Sequence, residues 1–254
     1  IAGFIIVSAL FLLFGNLGYR RNDSIAFKAV FALSVGCMIA ATAFALPMEE
    51  TANKTPRRRV YFAKKFHKFY GLEVFYGARK QIFLTFAPYV LILHYGADAS
   101  VIALLMAASA AFGIVLNPLI GKLIDRLGYK IIMVSDTLIL VVVCFFYGFA
   151  HRLFPPRVAY AVVCVNYILD AIISLASMAT SVYVQDIAAS QEEVTATLST
   201  GVSVNHFISI FIALMGGWIW KVTGIEVLFS ISAFMGILNS VYAATIRKSV
   251  RSEV

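Results

Sequence analysis

The sequence predicts an all-α protein, a polytopic bundle of transmembrane helices. Of its 254 residues, 61% are hydrophobic and 13% charged, and the mean hydropathy is +0.88. That leaves too little polar surface to shell a soluble domain of this length. Eight apolar stretches run along the chain, each near the ~20 residues with which a helix crosses a hydrocarbon core of ~30 Å. Alternation of period two, the mark of a membrane barrel, is absent from them.

The first two stretches, 1–19 and 27–47, flank a short connection with Arg20 and Arg21. The chain opens on Ile1 inside a hydrophobic run, with neither the basic start nor the cleavage site of a signal peptide. Further helices are therefore expected to precede it. A long basic connection, 48–69, comes next. Phe62, Phe66 and Phe69 recur there at helical spacing, with Lys64, Lys65 and Lys68 on the other side. This predicts an amphipathic segment lying along an anionic inner leaflet and separating two bundles, 1–47 and 70–254. Beside so many spans, the Arg57-Arg58-Arg59 run is not read as a nucleic-acid site.

Six stretches follow, at 70–95, 99–120, 131–151, 157–184, 198–221 and 224–246. Between the second and third of these, Gly121 to Lys130 reads as a short charged turn. Gly121 and Gly128 permit a tight reversal and close helix approach. Asp125 is suited to cap a neighbouring helix, and Arg126 to bridge to an acid across the surface. A plain basic loop is the alternative. Further along, Ser190-Gln191-Glu192-Glu193 has the spacing of a capping box, which predicts a helix start there. Pairing of Glu192 or Glu193 with Arg126 is its functional option.

Alternate connections share a side of the membrane. The side with 48–69, 121–130, 185–197 and the tail carries thirteen Lys and Arg, the other six. Basic loops stay cytoplasmic, so that side and the C-terminus are predicted to face inward, in a plasma (inner) membrane. Cys37, Cys144 and Cys164 all fall inside spans without metal-ligand spacing, and are expected to be buried thiols. No metal or other cofactor is expected.

Polar groups deep in a bilayer are costly and face a partner or a cavity. Asn166, Asp170, Ser174, Ser177 and Ser181 lie on one face of 157–184, and Thr195, Ser199, Ser203 and His206 on one face around 198–221. Ser109, Gly113 and Asn117 do the same in 99–120, before Pro118, which is expected to kink the helix end. Arg79, Lys80 and Gln81 interrupt 70–95. For the serines, simple helix packing is the alternative; for one of the two cations it is snorkelling to the interface. Asp136 reads as an interface residue near the inner surface.

Gly121, Leu123, Asp125, Arg126, Gly128 and Lys130 match G-x-L-x-D-R-x-G-x-K, which resembles the signature of Major Facilitator Superfamily transporters. Tyr129 stands where that signature most often has a basic residue. A long basic connection, then six spans with the signature after the second, is similar to the family's helices 7 to 12. The two spans before it correspond to helices 5 and 6. The resemblance implies an incomplete N-terminal half followed by a six-helix C-terminal half, with helices 1 to 4 missing. It implies that Gly121, Asp125, Arg126, Gly128 and Lys130 form a cytoplasmic latch, made and broken as the halves rock about a central site. It also makes the helices with the polar stripes the cavity-lining ones of this half.

The candidate substrate or proton site therefore comprises Arg79, Lys80, Asn117, Asn166, Asp170, Ser174, Ser203 and His206. Two mechanisms stay open. Arg79 or Lys80 holds an anionic solute, with Asp170 neutralising the cation when the site is empty. Alternatively Asp170 or His206 takes a proton, since a low-dielectric setting favours a neutral carboxyl and imidazole titrates near neutrality. The expected function is secondary active transport of a small solute by alternating access, coupled to protons as symport or antiport. No phosphate-binding loop points to ATP, and no nucleophile or metal constellation points to an enzyme. A membrane sensor or receptor on the same fold is the alternative. The fragment alone is expected not to transport, because the other half supplies one wall of the cavity.

Overall fold

The computed structural model describes residues 1–17, 24–47 and 61–246, and their regular structure is entirely helical. Arg20 and Arg21, the 48–60 part of the basic connection, and the tail with Arg247, Lys248 and Arg251 lie outside the described residues. The helices are α1 (Ala2–Asn16), α2 (Ser24–Ala45), α3 (His67–Gln81), α4 (Ala87–Tyr95), α5 (Ala99–Leu127), α6 (Tyr129–Leu153), α7 (Pro156–Ser174), α8 (Met178–Ile187), α9 (Gln191–Thr223) and α10 (Ile225–Ala244). A π segment, Ile82–Phe86, joins α3 to α4, and a 3₁₀ turn, Leu175–Ser177, joins α7 to α8. Pro88 has no N–H to donate back to Leu84, and the widened π turn falls just before it.

Six helical rods are long and apolar enough to cross a membrane: α2, α5, α6, Pro156–Ile187, α9 and α10. Two of the eight predicted spans fall short of that standard. α1 has 15 residues, and the rod from His67 to Tyr95 is interrupted by the π segment and carries Lys68, Glu73, Arg79 and Lys80.

The described residues form two compact units. One contains α1, α2 and residues 97–110. There the Ser8 hydroxyl donates to the Ser100 carbonyl at 3.0 Å, and Phe11 meets Phe27 edge to face. Asp98 accepts from the Val101 N–H at 3.2 Å, satisfying a free donor at the start of α5. Cys37, on α2, is exposed rather than buried; only Cys144 is fully buried, with Cys164 intermediate.

The second unit holds the remaining described residues from Tyr61 onward, with α5 entering it from Ala111. α6 packs most extensively on α10, then α3 on α9 and α6 on α7. A core of Phe66, Phe69, Leu72, Met133, Ala179 and Val184 fills one end.

The predicted turn at 121–130 is mostly helix. α5 continues through Pro118 to Leu127, and Gly128 alone, at φ +83°, separates it from α6. The reason is that Ile120, Ile124 and Leu127 keep the helical spacing of the apolar face, with Ile124 buried, while Lys122, Asp125 and Arg126 ride the exposed one. Charge on one face does not end a helix. A residue with positive φ does, and glycine adopts it without a steric cost.

The aromatic stripe of the basic connection also has a different role from the one expected. Phe66 and Phe69 are buried in the protein core, and only Phe62 is exposed. Lys65 donates to Glu193 at 2.6 Å, and Lys68 bonds the Thr245 carbonyl and hydroxyl. Tyr61 is fastened through its N–H to the Thr200 hydroxyl (2.9 Å) and through its own hydroxyl to Glu193 (2.6 Å). The segment is thus clamped onto the start of α9. Helical spacing marked its apolar face correctly, but protein covers that face where a leaflet was expected.

Ser190 does cap α9, accepting from the Glu193 N–H at 3.3 Å, as the capping spacing predicts. Glu193 pairs with Lys65 and Tyr61, however, and not with Arg126. Glu193→Gln is expected to loosen this clamp and speed tryptic cleavage after Lys64 and Lys65 in the otherwise folded protein. Unchanged cleavage kinetics would count against the clamp.

Candidate functional site

In the second unit α3 packs chiefly on α9, and less extensively on α10 and α8. It approaches α9 closely at Gly77, where an added Cβ would lie 2.5 Å from the Asn205 carbonyl oxygen. The Gly77 carbonyl in turn accepts from the Ser209 hydroxyl at 3.1 Å. Two residues on, Arg79 leaves that seam and turns into the bundle.

Its guanidinium meets two carboxylates. Nη1 donates to Asp136 Oδ2 on α6 at 3.0 Å, and Nη2 to Asp170 Oδ1 on α7 at 3.4 Å. Tyr76, one turn before Arg79, donates its hydroxyl to the same Asp136 oxygen at 3.2 Å. The side chains of Arg79, Asp136 and Asp170 are 7%, 3% and 14% exposed. One fixed cation therefore serves two acids in a region nearly closed to solvent. Charges so placed interact strongly, and removing any one leaves another without its partner. Arg79 Nε and Asp136 Oδ1 are buried with no hydrogen-bond partner. Glu73, two turns below Arg79, accepts from Asn205 on α9 at 3.2 Å.

The structure thus brings Arg79 and Asp170 together, as their positions in apolar runs suggested. It places the other candidates elsewhere. Lys80, Asn117, Ser174, Ser203 and His206 are exposed, outside the buried pairings. The Ser174 and Ser203 hydroxyls donate to carbonyls four residues back in their own helices, at 2.8 and 3.1 Å. Asn166 is buried and gives its amide to the Val143 carbonyl at 3.3 Å, joining α7 to α6.

Of the latch residues, Asp125 and Arg126 are exposed on the last turn of α5, with no ion pair among the described residues. Lys130 is half-buried, Gly128 forms the turn, and Gly121 has open space around it. Tyr129, the departure from the signature, donates to Asp186 near the end of α8 at 3.2 Å.

Asp136 is the member of this buried cluster that sequence reasoning missed. A signal was present. Tyr129, Ile132, Met133, Leu140, Val143 and Tyr147 outline one apolar stripe along α6, and Asp136 falls inside it at the same spacing. An acid on a buried face needs a partner, which an interface position does not supply. At the opposite end of α6, Glu226 of α10 accepts from Arg152 at 2.6 Å and faces His151 Nε2 at 3.3 Å, tying the two helices again.

Among known proteins, the family model for the Major Facilitator Superfamily matches residues 69–253. Neither the curated proteins nor the solved structures include a match.

Proposed function

The chain belongs to the Major Facilitator Superfamily, and from that membership we propose that it moves a small solute across a membrane by alternating access, coupled to protons. Family and apolar helices together make it an integral, multi-pass membrane protein of a transporter family. Proton coupling and the inner-membrane location with a cytoplasmic C-terminus belong to the same proposal.

One observation carries it: the guanidinium of Arg79 is held between Asp136 and Asp170. With both Nη groups committed, Arg79 has little to offer an anionic solute. This favours the proton over the anion mechanism. Two acids facing one cation leave an excess negative charge in surroundings that screen poorly, and a proton on either acid relieves it. The same proton weakens one arm of the bridge, from α3 either to α6 or to α7. Uptake of one proton thereby changes how firmly the central helix is held, which is what a rocking bundle needs from its coupling ion.

Lys80, Asn117, Ser203 and His206 support a separate solute path. All four are polar and exposed, Asn117, Ser203 and His206 on helices long and apolar enough to cross lipid, and such groups are expensive against acyl chains. On this reading these residues line the solute path. Asp125 and Arg126, exposed on the last turn of α5, serve as the cytoplasmic latch in this proposal. The test is uptake by the full-length protein in proteoliposomes across a panel of anions, cations and sugars, with and without a pH gradient. Acid-driven uptake of at least one solute is expected, and Asp170→Asn should lower it on the order of 10²-fold. If no gradient changes any rate, proton coupling is wrong.

A further inference from the structure

Beside the charge cluster lies a small cavity of about 10 Å³, lined by Phe75 and Arg79 of α3, Leu140 of α6, and Ser232, Gly236 and Asn239 of α10. Arg79 and Asn239 are both more than nine-tenths buried, and each leaves one polar atom without a partner: Nε of the guanidinium and Oδ1 of the amide. One is a donor and the other an acceptor. Both residues line the same space, together with Ser232.

We propose that this cavity is a binding site for one water molecule, which accepts from Arg79 Nε–H and donates to Asn239 Oδ1. The size admits a water and excludes a larger solute. The chemistry selects it too. A cation would be repelled by the guanidinium and an anion by the amide oxygen, whereas water both accepts and donates. Its partners number two or three, as for buried waters generally.

The consequence reaches beyond filling space. The water gives Arg79 a third tether. Asp136 holds it to α6, Asp170 to α7, and the water, through Asn239, to α10. When one carboxylate releases the guanidinium, this tether keeps the head group solvated and in place. Asn239 is thereby a positioning residue that acts on Arg79 through the water. The inference rests on the geometry of the cluster and holds whether or not protons are the coupling ion.

Millisecond X-ray radiolysis of the full-length protein tests it, because radicals made from a bound water label the side chains beside it. Leu140 is 2% exposed, so bulk water does not reach it. Labelling of Leu140 is expected in the wild type, and it should fall to background in Asn239→Leu but persist in Asn239→Ser. An unlabelled Leu140 in the wild type, or equal labelling in Asn239→Leu, overturns the site. Should the leucine variant fail to fold, a high-resolution density map of the wild type decides the matter. Density between Arg79 Nε and Asn239 supports the water; a direct contact between them, with nothing in between, refutes it.

Discussion

Arg79→Ala is expected to be the most damaging single substitution in this chain. It strips the cation from a pocket that retains two buried carboxylates, Asp136 and Asp170. Removing one partner of a buried ion pair costs about 3–5 kcal/mol, most of it the cost of the charge left behind. Here two charges are left behind, and Tyr76 cannot neutralise either. The expected result is a large loss of folded protein from membranes and a lowered melting temperature in detergent. Arg79→Lys should recover little, because a compact ammonium cannot donate along two directions as a planar guanidinium does. A triple variant separates stability from function. Arg79→Leu combined with Asp136→Asn and Asp170→Asn removes every charge from the pocket, and buried ion clusters often tolerate such replacement. Its folded yield should exceed that of Arg79→Ala while proton-coupled uptake stays absent. If Arg79→Ala expresses and melts like the wild type, the cluster is not the buried, mutually dependent unit described here.

Gly77→Val should be nearly as severe, for a steric reason. The obstacle to a side chain at Gly77 is backbone, the carbonyl oxygen of Asn205 at 2.5 Å from a Cβ, and not the movable end of a side chain. α3 and α9 must then separate. Separation breaks the Ser209 bond to the Gly77 carbonyl and the Asn205 bond to Glu73 in one step. Overpacking of this kind costs about 1–3 kcal/mol, and the lost hydrogen bonds add to it. The measurement is thermal stability in detergent, with Gly77→Ala as a milder companion. An unchanged melting temperature for the valine variant would show that the two helices are not in backbone contact there.

Six helical rods were legible because each is an apolar run of membrane-crossing length, and the start of α9 because Ser190 and Glu193 carry a capping pattern that needs no tertiary context. The helix ends were less so. Charge at Lys122, Asp125 and Arg126 looked like a break, yet those residues share one exposed face while Ile120, Ile124 and Leu127 carry the helix on to Gly128. For the site, Arg79 and Asp170 stood out as ionisable groups inside apolar runs. Asp136 is an equal member, but near the start of α6 it read as an interface residue. Which acid meets a given base is decided by how helices pack, and one sequence does not encode that visibly. Periodicity likewise grouped Ser199, Ser203 and His206 on one face of α9. It did not show that this face is exposed while α3 occupies another. The aromatic spacing of Phe62, Phe66 and Phe69 gave a face in the same way, without saying whether lipid or protein covers it.

The central claim is that Asp136 and Asp170 share the coupling proton over Arg79. Its most direct test is proton movement during solute flux. Full-length protein is reconstituted into liposomes loaded with a pH-sensitive dye, and each solute of the panel is applied outside. For the transported solute, the wild type should shift the internal pH as the solute enters. The charge-free triple variant, Arg79→Leu with Asp136→Asn and Asp170→Asn, should still exchange solute for solute but leave the internal pH unmoved. An equal pH signal from the triple variant would contradict the account, because the proton would then be travelling on other groups.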